Sequence, residues 1–340
     1  MTEFLPESDR PPEVVDAHSH YTPHAAVESG RTRRRDFPHV QVRSGKDDTT
    51  SFGFPSLPPT RPIPHALWDR VGAHEWMDRV GIDAHVVGPW SDLFGYTLPA
   101  DEGAAWSRFL NEETRNALRR DRRFITLATV PLQDGAQAVG VLSDAFAIGH
   151  AGVTVGTTIP ERELDHPDLE GFWQTAANLK MPVFMHPMYA YGDSRLADYG
   201  LPNAIGRLNQ TAIAVARLLY SGMLDRYPTL KIIVAHGGGV IPFAIGRLRR
   251  NFQSHGTEMA DPAPAFAKLS FDTVVYDVKA LRYLVETAGP DHVLLGSDYP
   301  FPIYDPDPRR IVHDAGFDRT ITAAILGGNA RRLFESTNVD

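Results

Sequence analysis

The chain has 340 residues, 42% of them hydrophobic and 22% charged, with a net charge of −8, a composition that can bury a sizeable core without covalent staples. It contains no cysteine, which excludes thiolate catalysis, cysteine-ligated zinc and disulfides and leaves histidine and carboxylates as the ligands for any metal. The negative balance argues against nucleic acid as a partner, because phosphate binding draws on clustered lysine and arginine, and the basic runs at Arg33–Arg35 and Arg247–Arg250 are short.

Residues 1–12 lack a basic start followed by an apolar stretch of signal-peptide length, and nowhere do about 18 apolar residues run together. The expectation is a cytoplasmic protein that does not enter a membrane. In chain order, eight short apolar, β-branched runs read as strands: Val14–Ala17, Ala84–Gly88, Phe124–Val130, Gly152–Thr157, Pro182–Met185, Lys231–Ala235, Leu269–Val274 and His292–Ser297. Runs such as KIIVAH and HVLLGSD are apolar at consecutive positions, which suits strands of a parallel sheet covered on both faces. Stretches with helical spacing alternate with them, at Gly103–Asp121, Gln133–Gly149, Asp168–Lys180, Arg207–Tyr227 and Ile321–Phe334. The alternation predicts one α/β domain over residues 1–340, a (β/α)8 TIM barrel. One stretch breaks the pattern. Residues 21–64 are rich in Arg, Ser, Pro and Asp with no sustained period, and read as a lid or insertion over the barrel mouth, after the first strand.

Five polar side chains fall at the ends of predicted strands: His18 and His20 after VVDA, His186 after PVFM, His236 after IIVA and Asp298 after VLLGS. The C-terminal ends of all eight strands of such a barrel meet on one face, so residues distant in sequence converge there. The pair His18 and His20 has strand spacing and can grip one ion from one side of the sheet. His18, His20, His186 and Asp298 therefore read as ligands of one divalent metal, zinc foremost and manganese also acceptable. The glycines of HGGGVIPF after His236 either turn the chain into a helix or present backbone N–H groups to an anion. Asp16 reads as a supporting carboxylate rather than a ligand.

The motifs VVDAHSH, FMHP, VAHGGG, LLGSDYPF and the closing ILGGNARRLF resemble the amidohydrolase superfamily, and within it the aminocarboxymuconate-semialdehyde decarboxylase branch, over nearly the whole chain. The resemblance implies the same metal ligands, with His236 acting in proton transfer beside Asp298. It also implies a metal-dependent enzyme that decarboxylates a small aromatic or muconate-type acid without an organic cofactor. The alternative on the same fold and ligands is a hydrolase or hydratase acting on an amide, lactone or enol. It further implies a homodimer with a shared active site, in which Arg247, eleven residues beyond His236, clamps the substrate carboxylate in the neighbouring subunit. Tyr189, in HPMYAYG, matches a substrate-facing aromatic that is commonly Trp. A second carboxylate-binding arginine is expected in the insertion, but the matching stretch GKDDTTSFGF has none. Arg43 and Arg61 are the nearby substitutes.

Overall fold

The computed structural model describes residues 13–32, 35–45, 49–188, 193–255 and 258–334. Eight strands follow one another round a parallel sheet: β1 (Val15–His20), β4 (Ala84–Gly88), β5 (Phe124–Ala128), β6 (Gly152–Gly156), β7 (Val183–His186), β8 (Ile232–Val234), β9 (Leu269–Asp272) and β10 (Val293–Leu294). All eight predicted runs are found. The last is shorter than expected, yet the chain after it closes the ring by main-chain bonds. Ala17 N–H donates to Leu295 O at 2.7 Å, Asp298 N–H to His18 O at 2.8 Å and His20 N–H to Tyr299 O at 2.8 Å.

Helices wrap the ring. The main ones are α2 (Arg70–Val80), α3 (Ala100–Leu118), α4 (Gly135–Ala147), α5 (Glu170–Asn178), α6 (Arg207–Tyr220), α8 (Ile241–His255) and α10 (Val278–Ala288). Several start on an aspartate whose carboxylate accepts a first-turn N–H: Asp69, Asp134 and Asp277. Each such cap contributes about 1 kcal/mol. The expected helix Arg207–Tyr227 is divided at Gly222, whose φ of 70° breaks it into α6 and a short α7 (Met223–Arg226). The closing helix is likewise divided, by a π-helical turn over Ala324–Gly328.

The packing follows the alternation along each strand. Val183 and Met185 point outward into the large core between strands and helices, whereas Phe184 and Ile233 join Val86, Leu127 and Leu294 within the ring. The stretch without a sustained period holds α1 (His24–Thr32) and an antiparallel hairpin of β2 (Gln41–Ser44) and β3 (Thr50–Gly53). These are too short to show a period. They are fixed by a core of their own, in which Phe37, Phe52 and Phe54 pack with Trp90, Trp106 and Phe109 of the barrel. No helix among the described residues is long and apolar enough to cross a membrane.

Candidate metal and acid–base site

β1 runs through both histidines instead of ending before them. Its pairing with β4 matches Asp16 to His85 and Ser19 to Val87, so Ala17 and His18 together oppose Val86 in a bulge. The bulge reverses the side-chain alternation. Val15 and Ala17 face the ring interior below it, and His18 packs on the interior Phe184 above it, with ring centroids 4.9 Å apart. Gly296 of the last unit makes room for this, since a Cβ there would lie 3.0 Å from that of His18.

Three strand ends deliver the remaining groups. His186 ends β7, and His236 and Asp298 follow β8 and β10 in left-handed backbone, with φ of 57° and 63°. Non-glycine residues held there store strain of order 1–3 kcal/mol, a feature that concentrates at functional sites. The rings of His18, His20, His186 and His236 gather with centroids 4.9–5.2 Å apart. Asp298 divides its oxygens among them: Oδ1 lies 3.1 Å from His20 Nε2 and 3.4 Å from His18 Nε2, while Oδ2 lies 3.5 Å from His236 Nε2.

His18 Nε2 and both ring nitrogens of His186 are buried without a hydrogen-bond partner. Buried polar atoms rarely stay unpaired, because each costs about 1–3 kcal/mol. Donor atoms of His18, His186, His236 and Asp298 all lie within 4.8 Å of one another. The set, with His20 against Asp298, fits a divalent cation that accepts imidazole and carboxylate. Burial, followed by the other imidazoles, holds His186 well below its ordinary value. Burial would raise Asp298, but the imidazoles of His18, His20 and His236 set against it outweigh burial and keep the carboxyl well below the usual range.

Asp272, at the end of β9 and fully buried, is one group that sequence reasoning missed. Its Oδ2 accepts from His18 Nδ1 at 2.6 Å and from the His236 N–H at 2.9 Å, and its Oδ1 accepts the N–H of Gly237 at 2.9 Å and of Val274 at 3.0 Å. One carboxylate thereby fixes the His18 tautomer, leaving Nε2 toward the site, and pins the turn that carries His236. The glycine turn is accordingly a strand-to-helix connection whose first N–H groups are taken by Asp272. The available signal was its position, a carboxylate on a predicted apolar strand. Asp16 supports from behind: it accepts the N–H of His18 at 3.0 Å, the N–H of Ser297 at 3.1 Å and the Ser297 hydroxyl. Burial pushes its carboxyl up to about 7.

A cavity of about 420 Å³ opens beside His236 and Asp298, with Arg207, Val274, Tyr276 and Ile303 on its walls. Arg207 is buried and donates from Nη1 to Pro187 O at 3.3 Å. It shares the inner face of α6 with Thr211, Ala214 and Leu218, and an arginine on the apolar face of an amphipathic helix is the signal that could have found it. Arg43 and Arg61 do not line this cavity: Arg43 bonds Gln41 at 2.8 Å, and Arg61 lies 3.9 Å from Asp92. Arg247 is exposed on α8 and also absent from its walls. Tyr189 lies outside the described residues.

A closed (β/α)8 ring with imidazoles and an aspartate converging at the C-terminal ends of its strands defines a metal-dependent barrel enzyme. The chain belongs to the amidohydrolase family, whose model matches residues 15–335, and within it to the aminocarboxymuconate-semialdehyde decarboxylase-like branch. It is 30% identical over 278 residues to the 2-amino-3-carboxymuconate-6-semialdehyde decarboxylase of Dictyostelium discoideum, covering 79% of this chain and 77% of that one. Among solved structures, 5-carboxyvanillate decarboxylase from Sphingomonas paucimobilis superposes with a TM-score of 0.79 at 24% identity, covering 95% and 98% of the two chains. A dihydroxybenzoic acid decarboxylase from Polaromonas sp., solved with bound manganese and 2-nitroresorcinol, gives 0.76 at 19% identity, covering 96% and 98%.

Proposed function

We propose that this chain is a non-oxidative, metal-dependent decarboxylase of a small aromatic or muconate-type acid. His18, His20, His186 and Asp298 hold one zinc or manganese ion, and His236 transfers the proton. The observation that carries the reading is the buried cluster with unpaired imidazole nitrogens opening onto a cavity that contains His236 and Arg207. The names of the relatives and the manganese in the Polaromonas enzyme support it.

The division of roles follows Asp298. Its Oδ1 faces the β1 pair, whereas its Oδ2 faces His236 at 3.5 Å, which leaves His236 on the cavity side with a carboxylate behind it. An ion held by these residues would supply positive charge able to polarise an oxygen substituent of the substrate. Arg207 contributes a fixed cation toward the substrate's carboxylate, a task that suits the planar guanidinium. His236, oriented by Asp298, gives its proton to the carbon that bears the carboxylate. The carbon–carbon bond then breaks, its electron pair restores the unsaturated system, carbon dioxide leaves, and solvent reprotonates His236. No oxidant or organic cofactor enters this balance.

The deciding measurement is carbon dioxide release by protein loaded with zinc or manganese, from a panel of aromatic and muconic acids, alongside elemental analysis. About one ion per chain is expected, with activity lost on chelation. His236→Ala should keep its ion and lose turnover by roughly 10²–10⁴-fold, whereas Asp298→Ala should lose both. Two tightly held ions per chain, or a His236→Ala protein that is metal-free while Asp298→Ala is loaded, overturns the assignment.

A homodimer belongs to this proposal. Phe243 is 83% exposed on α8, one turn from Arg247, and its ring lies 6.3 Å from that of Tyr283, itself 42% exposed. Tyr276 and Ile303, on the walls of the catalytic cavity, are likewise partly exposed. A second copy covering this patch would bring the partner's Arg247 toward the site.

A further inference from the structure

A second cavity, of about 180 Å³, has no part in the chemistry above. Its walls come from the insertion, through Phe54 and Leu57, from the segment after β4, through Asp92 and Thr97, and from Met188 and Gln210. Two links join it to the metal side. Met188 stands two residues beyond His186. Arg207 lines the catalytic cavity and also acts electrostatically on Asp92, which burial pushes up and which Arg207 and Arg61 pull back.

Three residues that line this cavity each carry a buried oxygen without a hydrogen-bond partner: Asp92 Oδ1, Thr97 Oγ1 and Gln210 Oε1. The Asp92 side chain is only 4% exposed, and its contact with Arg61 Nη2, at 3.9 Å, is too long for a hydrogen bond. Unpaired buried oxygens each cost about 1–3 kcal/mol, so three on the residues around one cavity point to a ligand that pairs them. Carboxylate and amide oxygens only accept, and the threonine hydroxyl can do either. The complementary group is a hydrogen-bond donor on a largely apolar body.

We propose that this cavity is the specificity subsite for a donor substituent on the substrate ring, a phenolic hydroxyl or aromatic amine remote from the departing carboxylate, with Asp92 as its principal acceptor. The inference rests on the decarboxylase reading for the reaction, but not for the binding. A site built to hydrogen-bond a hydroxyl rejects analogues that lack it far more strongly than an apolar pocket rejects a changed methyl group.

The test compares three salicylates that carry hydroxyl, methoxy or fluoro at the same ring position remote from the carboxylate, with each such position sampled in turn. Carbon dioxide release is read on metal-loaded protein, and binding of the corresponding carboxylate-free phenols is followed by calorimetry. At one position at least, hydroxyl should be preferred over both analogues by about tenfold or more. Asp92→Leu should compress that ratio to within roughly threefold with its metal content unchanged, and Asp92→Asn, which keeps the shape and one acceptor oxygen, should fall between. Because Asp92 Oδ1 accepts no hydrogen bond, neither variant breaks one there, and thermal melting checks that both remain folded. A preference that is absent, or that survives unchanged in Asp92→Leu, overturns the subsite even if carbon dioxide is released. Donor-dependent binding lost in Asp92→Leu with no carbon dioxide from any acid keeps the subsite and overturns the decarboxylase reading instead.

Discussion

At the scale of single residues, Asp272 is the most consequential group that does not itself face the cavity. Replacing it with Asn keeps the shape but removes the charge opposite His18, whose ring is held at about 10 mainly against burial by this carboxylate. Loss of such a partner typically costs 10–100-fold in metal affinity. Asp272→Asn should therefore release its ion to a competing chelator at correspondingly lower concentrations. Affinity equal to that of the parent would show that the bond to His18 is dispensable. His150 allows a cleaner pH experiment, because it lies away from the site. It is buried, bonds Asn111 O at 3.1 Å, and is pushed by burial to about 4. The unfolded chain takes up this proton below about 6.5 while the folded chain refuses it until about 4. Stability should thus fall as pH drops through that window, by roughly 1.4 kcal/mol per unit from this residue. Urea denaturation at several pH values should show a shallower decline for His150→Gln than for the parent, and identical slopes would refute the assignment.

Among elements, the insertion is the one whose role extends beyond the barrel. Its hairpin buries Phe52 completely, with the ring 6.2 Å from that of Trp106 on α3, and places Phe54 on the wall of the second cavity. If the insertion folds as one unit with the barrel, Phe52→Ala should cost about 3–5 kcal/mol of global stability and raise KM for the acid. Denaturation and steady-state kinetics separate the alternatives. A rise in KM with unchanged stability would mean that the insertion opens independently of the ring beneath it. The helix α8 also acts at this scale, because it carries Phe243 and Arg247 exposed to solvent.

For the whole molecule, the question is whether one chain makes a complete site. Sedimentation should show a dimer for the parent protein, and Phe243→Asp should shift it toward monomer by placing a charge in the apolar patch. Mixing Arg247→Ala with His236→Ala chains should restore part of the activity, since one site of a mixed dimer then holds both residues intact. Full activity in a monomeric Phe243→Asp protein, or no recovery after demonstrated subunit exchange, would make Arg247 an ordinary surface arginine.

The order of the barrel was legible because parallel strands buried on both faces leave continuous apolar runs, such as IIV in β8 and AHVVG in β4. The five strand-end groups were legible for a related reason: polar residues that terminate such runs must meet at one end of a closed ring. The short elements of the insertion were not, because four-residue strands and a nine-residue helix are fixed by packing on Trp90 and Trp106 rather than by their own period. Nor could the sequence show that a bulge at Ala17 and His18 turns both histidines inward, or that Asp272 joins His18 to the His236 turn across 254 residues of chain. The sequence by itself determined which elements form and which chemistry their ends carry. Only the tertiary structure decided which groups pair, which cavity Arg207 faces and where unpaired acceptors await a donor, because those depend on register and burial between segments that the chain does not place side by side.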